Sequence, residues 1–328
     1  MSFPQKSARM PRPSRLSIAV PADLWLPTAV CSYGYFLLAP NRWRPQEFTW
    51  ERSFDAAEFG LPEERFHATI DQPAGRGAPL RVRCDVVVSP PARQALRAAI
   101  GRMLRLDKDL RQLHRALPAA KRRGYGRLIR SATLLEDMVK TITSCNVGWP
   151  STVRMNQLLV ERVGGGAFPS AERLARWTPA RLQKVCRVGY RAKRIIGLAR
   201  LFAKGQLEAA WFESPERSTE ELREKLLSLD GFGPYSAANV LQLLDRDDEL
   251  PIDTETYRLY CKRQGVERPV NPLALHPQII THYERYRPHR FLAYWFELWR
   301  DYESQRGEAW TWDADTVGSS FTAAQLDK

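Results

Sequence analysis

The chain has 328 residues, 44% of them hydrophobic and 27% charged, with 50 basic against 37 acidic side chains and a formal charge of +13. This is the composition of a soluble globular protein rather than a disordered or fibrous one, and the basic excess attracts polyanions without specifying which. No apolar run reaches the roughly 18 residues that a membrane helix needs, and the cysteines (Cys31, Cys84, Cys145, Cys186, Cys261) are scattered without metal-ligand or disulfide spacing, which fits a reducing compartment.

Residues 1–17 read as a disordered basic leader, because Lys6, Arg9, Arg12 and Arg15 come with prolines and no apolar core. An antiparallel sheet domain is expected over 18–92. Its strands include the aromatic run Tyr33 to Leu38 and the stretch Arg81 to Val88, which alternates and then turns continuously apolar. Turn signals fill Asp71 to Ala78, and Ser89-Pro-Pro91 ends the sheet. The stretch 93–306 reads as helical. Leu134, Leu135, Met138, Val139 and Ile142 share one helical face, as do Val153, Leu158, Leu159, Val160 and Val163 before the stop at Gly164-Gly-Gly166. Thr178-Pro179 signals a helix start, and Ser218-Thr-Glu-Glu221 reads as a capping box. The tail 307–328 is expected to be loose. A sheet followed by about ten helices makes an α+β protein.

The basic residues cluster. From Arg93 to Arg130 there are twelve Lys/Arg against Asp107 and Asp109, and from Arg181 to Lys204 eight Lys/Arg and no acid. Each run alone could be a solvated helix face; two of them flanking the next motif favour a nucleic-acid partner.

In Leu226-Leu-Ser-Leu-Asp-Gly-Phe-Gly-Pro-Tyr-Ser-Ala237, Leu222, Leu226 and Leu229 form the stripe of one helix. Ala237, Val240, Leu241 and Leu244 form that of a second, which opens at Pro234. Gly231 and Gly233 permit a turn of positive φ or a close backbone approach. The amides of Phe232, Gly233, Tyr235 and Ser236 would lie at a helix N-terminus, where unpaired donors and the helix dipole favour a phosphate. Such a grip carries no sequence information. A glycine turn between two packed helices is the plain alternative.

Leu250-Pro-Ile-Asp-Thr-Glu-Thr-Tyr257 follows, with Asp253 twenty residues past Gly233. Hairpin, second helix and Pro-Ile-Asp253 together resemble the HhH-GPD superfamily of base-excision DNA glycosylases. The likeness runs back through Leu134 to Val163 and forward to an aromatic helix expected roughly from Arg290 to Tyr302. The stretch Tyr33 to Pro40 resembles the sheet domain of the 3-methyladenine and 8-oxoguanine branches. This implies an N-terminal antiparallel sheet followed by an all-α helix-hairpin-helix domain, and a partner in double-stranded DNA bearing a damaged base, alkylated or oxidised. A monomer is expected, in the bacterial cytoplasm at the nucleoid or in a eukaryotic nucleus, with no membrane partner and no cofactor. No metal is expected beyond a possible monovalent cation at the hairpin carbonyls.

The chemistry supports Asp253 independently. Breaking an N-glycosidic bond builds positive charge on the sugar, which a fixed carboxylate stabilises while it orients or deprotonates water. Asp253 can also cap the helix beginning at Thr254, and the two roles are compatible. Glu255 reads as a first-turn helix acid. Bifunctional members of the superfamily carry a lysine two residues after the second hairpin glycine. Here that position is Tyr235, so no Schiff base forms at this site and the resemblance is to the monofunctional branch, with water as nucleophile. Tyr235 either stacks near the base or packs. Only Cys261 lies where an iron–sulfur loop would need four cysteines, so no cluster is expected.

A base must leave the duplex before this chemistry, and a side chain fills its gap. Asn146 falls where related glycosylases place such a residue, or it caps the helix starting near Ser151. Trp149, Tyr235 and Trp295 are candidates for the base pocket. Most of Phe291, Tyr294, Trp295, Leu298 and Tyr302 are expected in the core at their helical spacing. Arg191, Lys193 and Arg194 are phosphate contacts or solvated. The alternatives to a glycosylase are a non-catalytic helix-hairpin-helix DNA-binding protein and a lyase using another lysine.

Overall fold

The computed structural model describes residues 13–313 and 317. Five strands, β1 (Ser14–Ile18), β2 (Asn41–Arg44), β3 (Thr49–Asp55), β4 (Arg65–Asp71) and β5 (Leu80–Cys84), form one sheet in the order β1-β5-β4-β3-β2, antiparallel throughout. Alternation makes the strands: β1 buries Ser14, Leu16 and Ile18, and β5 buries Leu80, Val82 and Cys84. Cross-strand pairing sets Phe54 opposite Phe66, their rings stacked at 5.3 Å.

Around and beyond the sheet run α1 (Leu26–Val30), α2 (Pro90–Leu104), α3 (Leu134–Ser144), α4 (Trp149–Leu158), α5 (Pro179–Cys186), α6 (Arg191–Ala203), α7 (Thr219–Leu227), α8 (Pro234–Leu243), α9 (Thr254–Gln264), α10 (His276–Tyr283) and α11 (Arg290–Arg306), with shorter helical turns between them. The expected caps are present. The Thr178 hydroxyl accepts the Arg181 amide at 3.3 Å, and Ser218 and Glu221 exchange both capping-box bonds, at 3.1 and 2.8 Å. No helix among the described residues is long and apolar enough to cross a membrane.

The described residues form two cores. One draws all its buried members from 134–244. The other joins the sheet and α2 to α9, α10 and α11 from the far end of the chain. The expected division at 92/93 therefore does not describe the packing: the C-terminal helices complete the sheet lobe, because their aromatic faces cover what the sheet leaves open. Tyr125 donates to the Leu292 carbonyl at 3.2 Å, and the Trp43 indole donates to the Trp310 carbonyl at 2.7 Å.

Buried charges join the lobes. Arg52 on β3 lies 2.5 Å from Glu136 on α3, which also holds Lys140 at 2.7 Å, and all three are essentially inaccessible. Burial opposes ionisation of Glu136, but the two cations outweigh it and hold the carboxyl down to about 2. A second joint pairs Arg105 and Lys108, just past α2, with Asp245, and Lys108 with Asp247 at 2.5 Å. Arg102 reaches Asp137 and Glu213, and Arg123 reaches Glu303 and Glu308. Much of the first basic run is thus internal pairing rather than a polyanion surface.

Four further expectations need correction. Ser14–Ile18 is the edge strand β1, so the leader does not extend to residue 17; residues 1–12 lie outside those described. Tyr33 to Leu38 is no strand: Gly34–Leu37 forms a 3₁₀ turn, because Tyr35, Phe36 and Leu37 are all buried in succession, with no outward face to alternate. The sheet ends at Cys84, not Val88, and Val87 is half exposed. Ala309–Thr311 forms a packed turn and Trp312 is buried, so the tail is not loose from 307; apart from Val317, residues beyond 313 lie outside those described.

Candidate functional site

The hairpin forms between α7 and α8 as their apolar stripes require, with Leu222, Leu226, Ala237, Val240 and Leu241 fully buried. Gly231 is needed twice over: its φ is +97°, and a Cβ there would lie 2.6 Å from Cδ of Arg194. Gly233 is extended, and a Cβ on it would meet nothing within 4 Å, so its glycine leaves room for an approaching backbone rather than making the turn. Two of the four amides expected to be free are taken. Phe232 donates to the Leu229 carbonyl at 3.2 Å, and Gly233 donates to the Ser236 hydroxyl at 2.9 Å. The Ser236 side chain is thereby committed to the cap, returning a bond to the Gly233 carbonyl at 3.1 Å. The amides of Tyr235 and Ser236 remain in the first turn of α8, without intrahelical acceptors.

Cys145, Asn146 and Arg194 border the hairpin around a cleft of about 350 Å³. Lys193 is exposed, and Arg194 lies along Gly231 with its Nε 3.8 Å from Asp230. Arg191 departs from its expected place at the surface. It is 6% exposed and donates to the carbonyls of Ile142 and Asn146, each at 3.2 Å, and of Cys145. The end of α3 supplies carbonyls with no helical partner, and a guanidinium satisfies several at once. What it anchors is the loop bearing Asn146, exposed at φ +51°. Gly148, not Asn146, stands at the N-cap of α4, so the capping role does not hold.

Asp253 is the N-cap of α9. Its Oδ1 accepts from the amides of Glu255 at 3.0 Å and Thr256 at 3.1 Å, and from the Thr256 hydroxyl at 3.1 Å. Its Oδ2 accepts from the Tyr235 hydroxyl at 3.1 Å. Capping thus takes one carboxylate oxygen and leaves the other towards a cavity of about 320 Å³ between the lobes.

The three expected pocket residues Trp149, Tyr235 and Trp295 all line this cavity. Trp149 rests on Gly34: its ring passes 2.8 Å from where a Cβ would be. Trp295 is as much core as wall, stacked at 5.6 Å on Trp299 and 5.8 Å on Phe291, with its indole donating to the Ser32 carbonyl at 2.9 Å. Sequence reasoning missed Tyr33, Asn239 and Trp299 and read Glu255 as a first-turn helix acid; Tyr294 and Tyr302 are buried in the core, as expected for most of that stripe, and line the cavity as well. Residues 295, 298, 299 and 302 form one stripe on α11, and the polar tips of Trp295, Trp299 and Tyr302 were the available signal. The Glu255 carboxylate accepts from Tyr302 at 2.7 Å and Arg258 at 3.1 Å. Among the described residues no group of three His, Cys, Asp or Glu is placed to hold a metal.

Hairpin, capping carboxylate and interlobe cavity sit on an α+β frame that is similar in fold to solved DNA glycosylases. The chain is 28% identical over 165 residues to a DNA-3-methyladenine glycosylase of Bacillus subtilis (strain 168), a match of 45% of this chain and 54% of the relative, so it spans about half the length of that protein. Among solved structures it is similar to the 3-methyladenine DNA-glycosylase of Archaeoglobus fulgidus, with a TM-score of 0.63, 17% identity and coverage of 87% and 98% of the two chains. It is also similar to the 8-oxoguanine glycosylase/lyase of Clostridium acetobutylicum, with a TM-score of 0.57, 18% identity and coverage of 78% and 88%. No family model matches the chain.

Proposed function

We propose that the chain is a monofunctional DNA glycosylase that hydrolyses the N-glycosidic bond of an alkylated base flipped from duplex DNA. The observation that carries this is the Oδ2 edge of Asp253, outside the helix cap and held by Tyr235, on an aromatic cavity beside the hairpin. The hairpin amides and Lys193 hold the DNA backbone, Asn146 enters the gap left by the base, and the base enters the cavity between aromatic rings. As the bond lengthens, positive charge grows on the sugar and Asp253 stabilises it, while water completes the exchange.

The cavity wall favours alkylated over oxidised bases. Several of its donors are turned to protein partners: Tyr33 to Asn239, Tyr235 to Asp253, Trp295 and Trp299 to backbone carbonyls, Tyr302 to Glu255. What lines the cavity is largely ring surface with the Asp253 carboxylate, which suits a purine made cationic by alkylation. The Bacillus subtilis relative carries the matching name.

Duplexes bearing single lesions test this, with alkali cleaving any abasic site. Release is expected from alkylpurine duplexes, reduced on the order of 10²-fold or more by Asp253→Asn. No release above that variant for any lesion would leave a non-catalytic DNA-binding protein as the reading. Borohydride is expected to trap no covalent adduct, since Tyr235 offers no amine; a trapped adduct would show a lyase.

A further inference from the structure

We propose that Tyr235 is a positioning residue for the Asp253 carboxylate, a role that rests on the glycosylase reading above. The two oxygens of Asp253 are held by different means. Three donors of the α9 cap fix Oδ1, whereas the Tyr235 hydroxyl is the side-chain donor on Oδ2, at 3.1 Å. The cap anchors one corner of the carboxyl group; the phenol sets the direction in which the opposite corner points into the cavity. A bond to a charged acceptor is short-range and directional, so it acts on orientation more than on the long-range field.

Tyr235 is itself held from both sides. It stands in the first turn of α8, and its carbonyl accepts from the Asn239 amide at 3.0 Å. The Asn239 side-chain oxygen accepts in turn from Tyr33, on the sheet lobe, at 3.4 Å. A chain of hydrogen bonds therefore runs from the sheet lobe through Asn239 and Tyr235 to Asp253, so the orientation of the carboxylate registers how the lobes are seated. Burial, with the neighbouring Asp253 charge, pushes the Tyr235 phenol well above its ordinary value. It therefore stays protonated, as the donor in this bond, at ordinary working pH. The same side chain thus occupies the position two residues after Gly233 and supplies the carboxylate with its last partner.

The test compares the wild type, Tyr235→Phe, Asp253→Asn and the double variant in single-turnover base release from an alkylpurine duplex. Affinity for an abasic duplex and the melting temperature are measured alongside. Tyr235→Phe keeps the ring and removes only the hydroxyl. Release is expected to slow about tenfold, as for the loss of a hydrogen bond to a charged group, with affinity and melting temperature unchanged. In the Asp253→Asn background the same substitution is expected to change the rate less than twofold, since the charged acceptor is gone. A wild-type rate in Tyr235→Phe, an equal slowing in both backgrounds, or a loss matched by weaker DNA binding would overturn the proposal. Absence of release from the wild type itself would overturn the glycosylase reading as well, and is told apart because all four proteins would then be equally inactive.

Discussion

The two lobes are built of different materials. The core of 134–244 is aliphatic: its buried aromatics are Phe168, Phe212 and Phe232, and no tyrosine or tryptophan is fully buried within it. The sheet lobe is packed with Tyr33, Tyr35, Trp43, Trp50, Tyr294, Trp299 and Trp312, among others. Each buried phenol or indole needs a hydrogen-bond partner for its polar tip, so this lobe is threaded by specific bonds where the helical lobe relies on apolar packing. The cavity lies where the two meet: one side supplies flat surfaces and fixed donors, the other the hairpin.

The joint between the lobes is the place to break this arrangement. Glu136→Gln leaves Arg52 and Lys140 buried without a counter-charge, and a loss of about 3–5 kcal/mol is expected by calorimetry; a loss below about 1 kcal/mol would show that the lobes cohere without it. The same carboxyl gives a pH dependence. Its folded value of about 2 lies below the ordinary 4.5, so its contribution is full above 4.5 and is lost as pH falls towards 2. Stability of Glu136→Gln is expected to fall less steeply across that window.

Arg191→Ala tests the helical lobe's loop. Orphaning the carbonyls of Ile142, Cys145 and Asn146 is expected to cost about 2 kcal/mol and to slow base release by loosening Asn146. Unchanged release at lowered stability would separate the anchor from the wedge. Gly34→Ala tests the sheet lobe's wall. The added methyl meets the Trp149 ring, and overpacking is expected to cost about 1–2 kcal/mol while narrowing the cavity, so bulkier lesions should suffer more than small ones in the lesion panel. The smallest effect is expected from Lys193→Ala, which should reduce the salt dependence of DNA binding by about one unit in the logarithmic slope and leave stability unchanged.

What could be read in the sequence divides along the same line. Caps at Thr178 and Ser218, the hairpin and the Asp253 cap are local, set by residues within a few positions of one another, and they stand where their spacing puts them. The sheet lobe defeated local reading. Tyr33 to Leu38 looks like a strand until the aromatic helix from 290 onward is seen covering it. Arg105, Lys108 and Arg123 look like a polyanion surface until Asp245, Asp247, Glu303 and Glu308 arrive from well over a hundred residues away. Arg191 was misplaced for a similar reason, since carbonyls on another helix rather than its own neighbours decide where it points. Pocket residues on α11 were visible as a stripe, but not which side of the stripe met the cavity.

The discontinuous sheet lobe also orders events during synthesis. Residues 134–244 form an unbroken segment whose core can close as soon as the ribosome has released it. The sheet that preceded it must wait for the far end of the chain, since its covering helix begins only at Arg290. A nascent chain halted between 244 and 290 would hold the finished hairpin without the wall that α11 gives the neighbouring cavity. The hairpin is thus complete before the cavity beside it, and α11 is the element that closes the cavity wall.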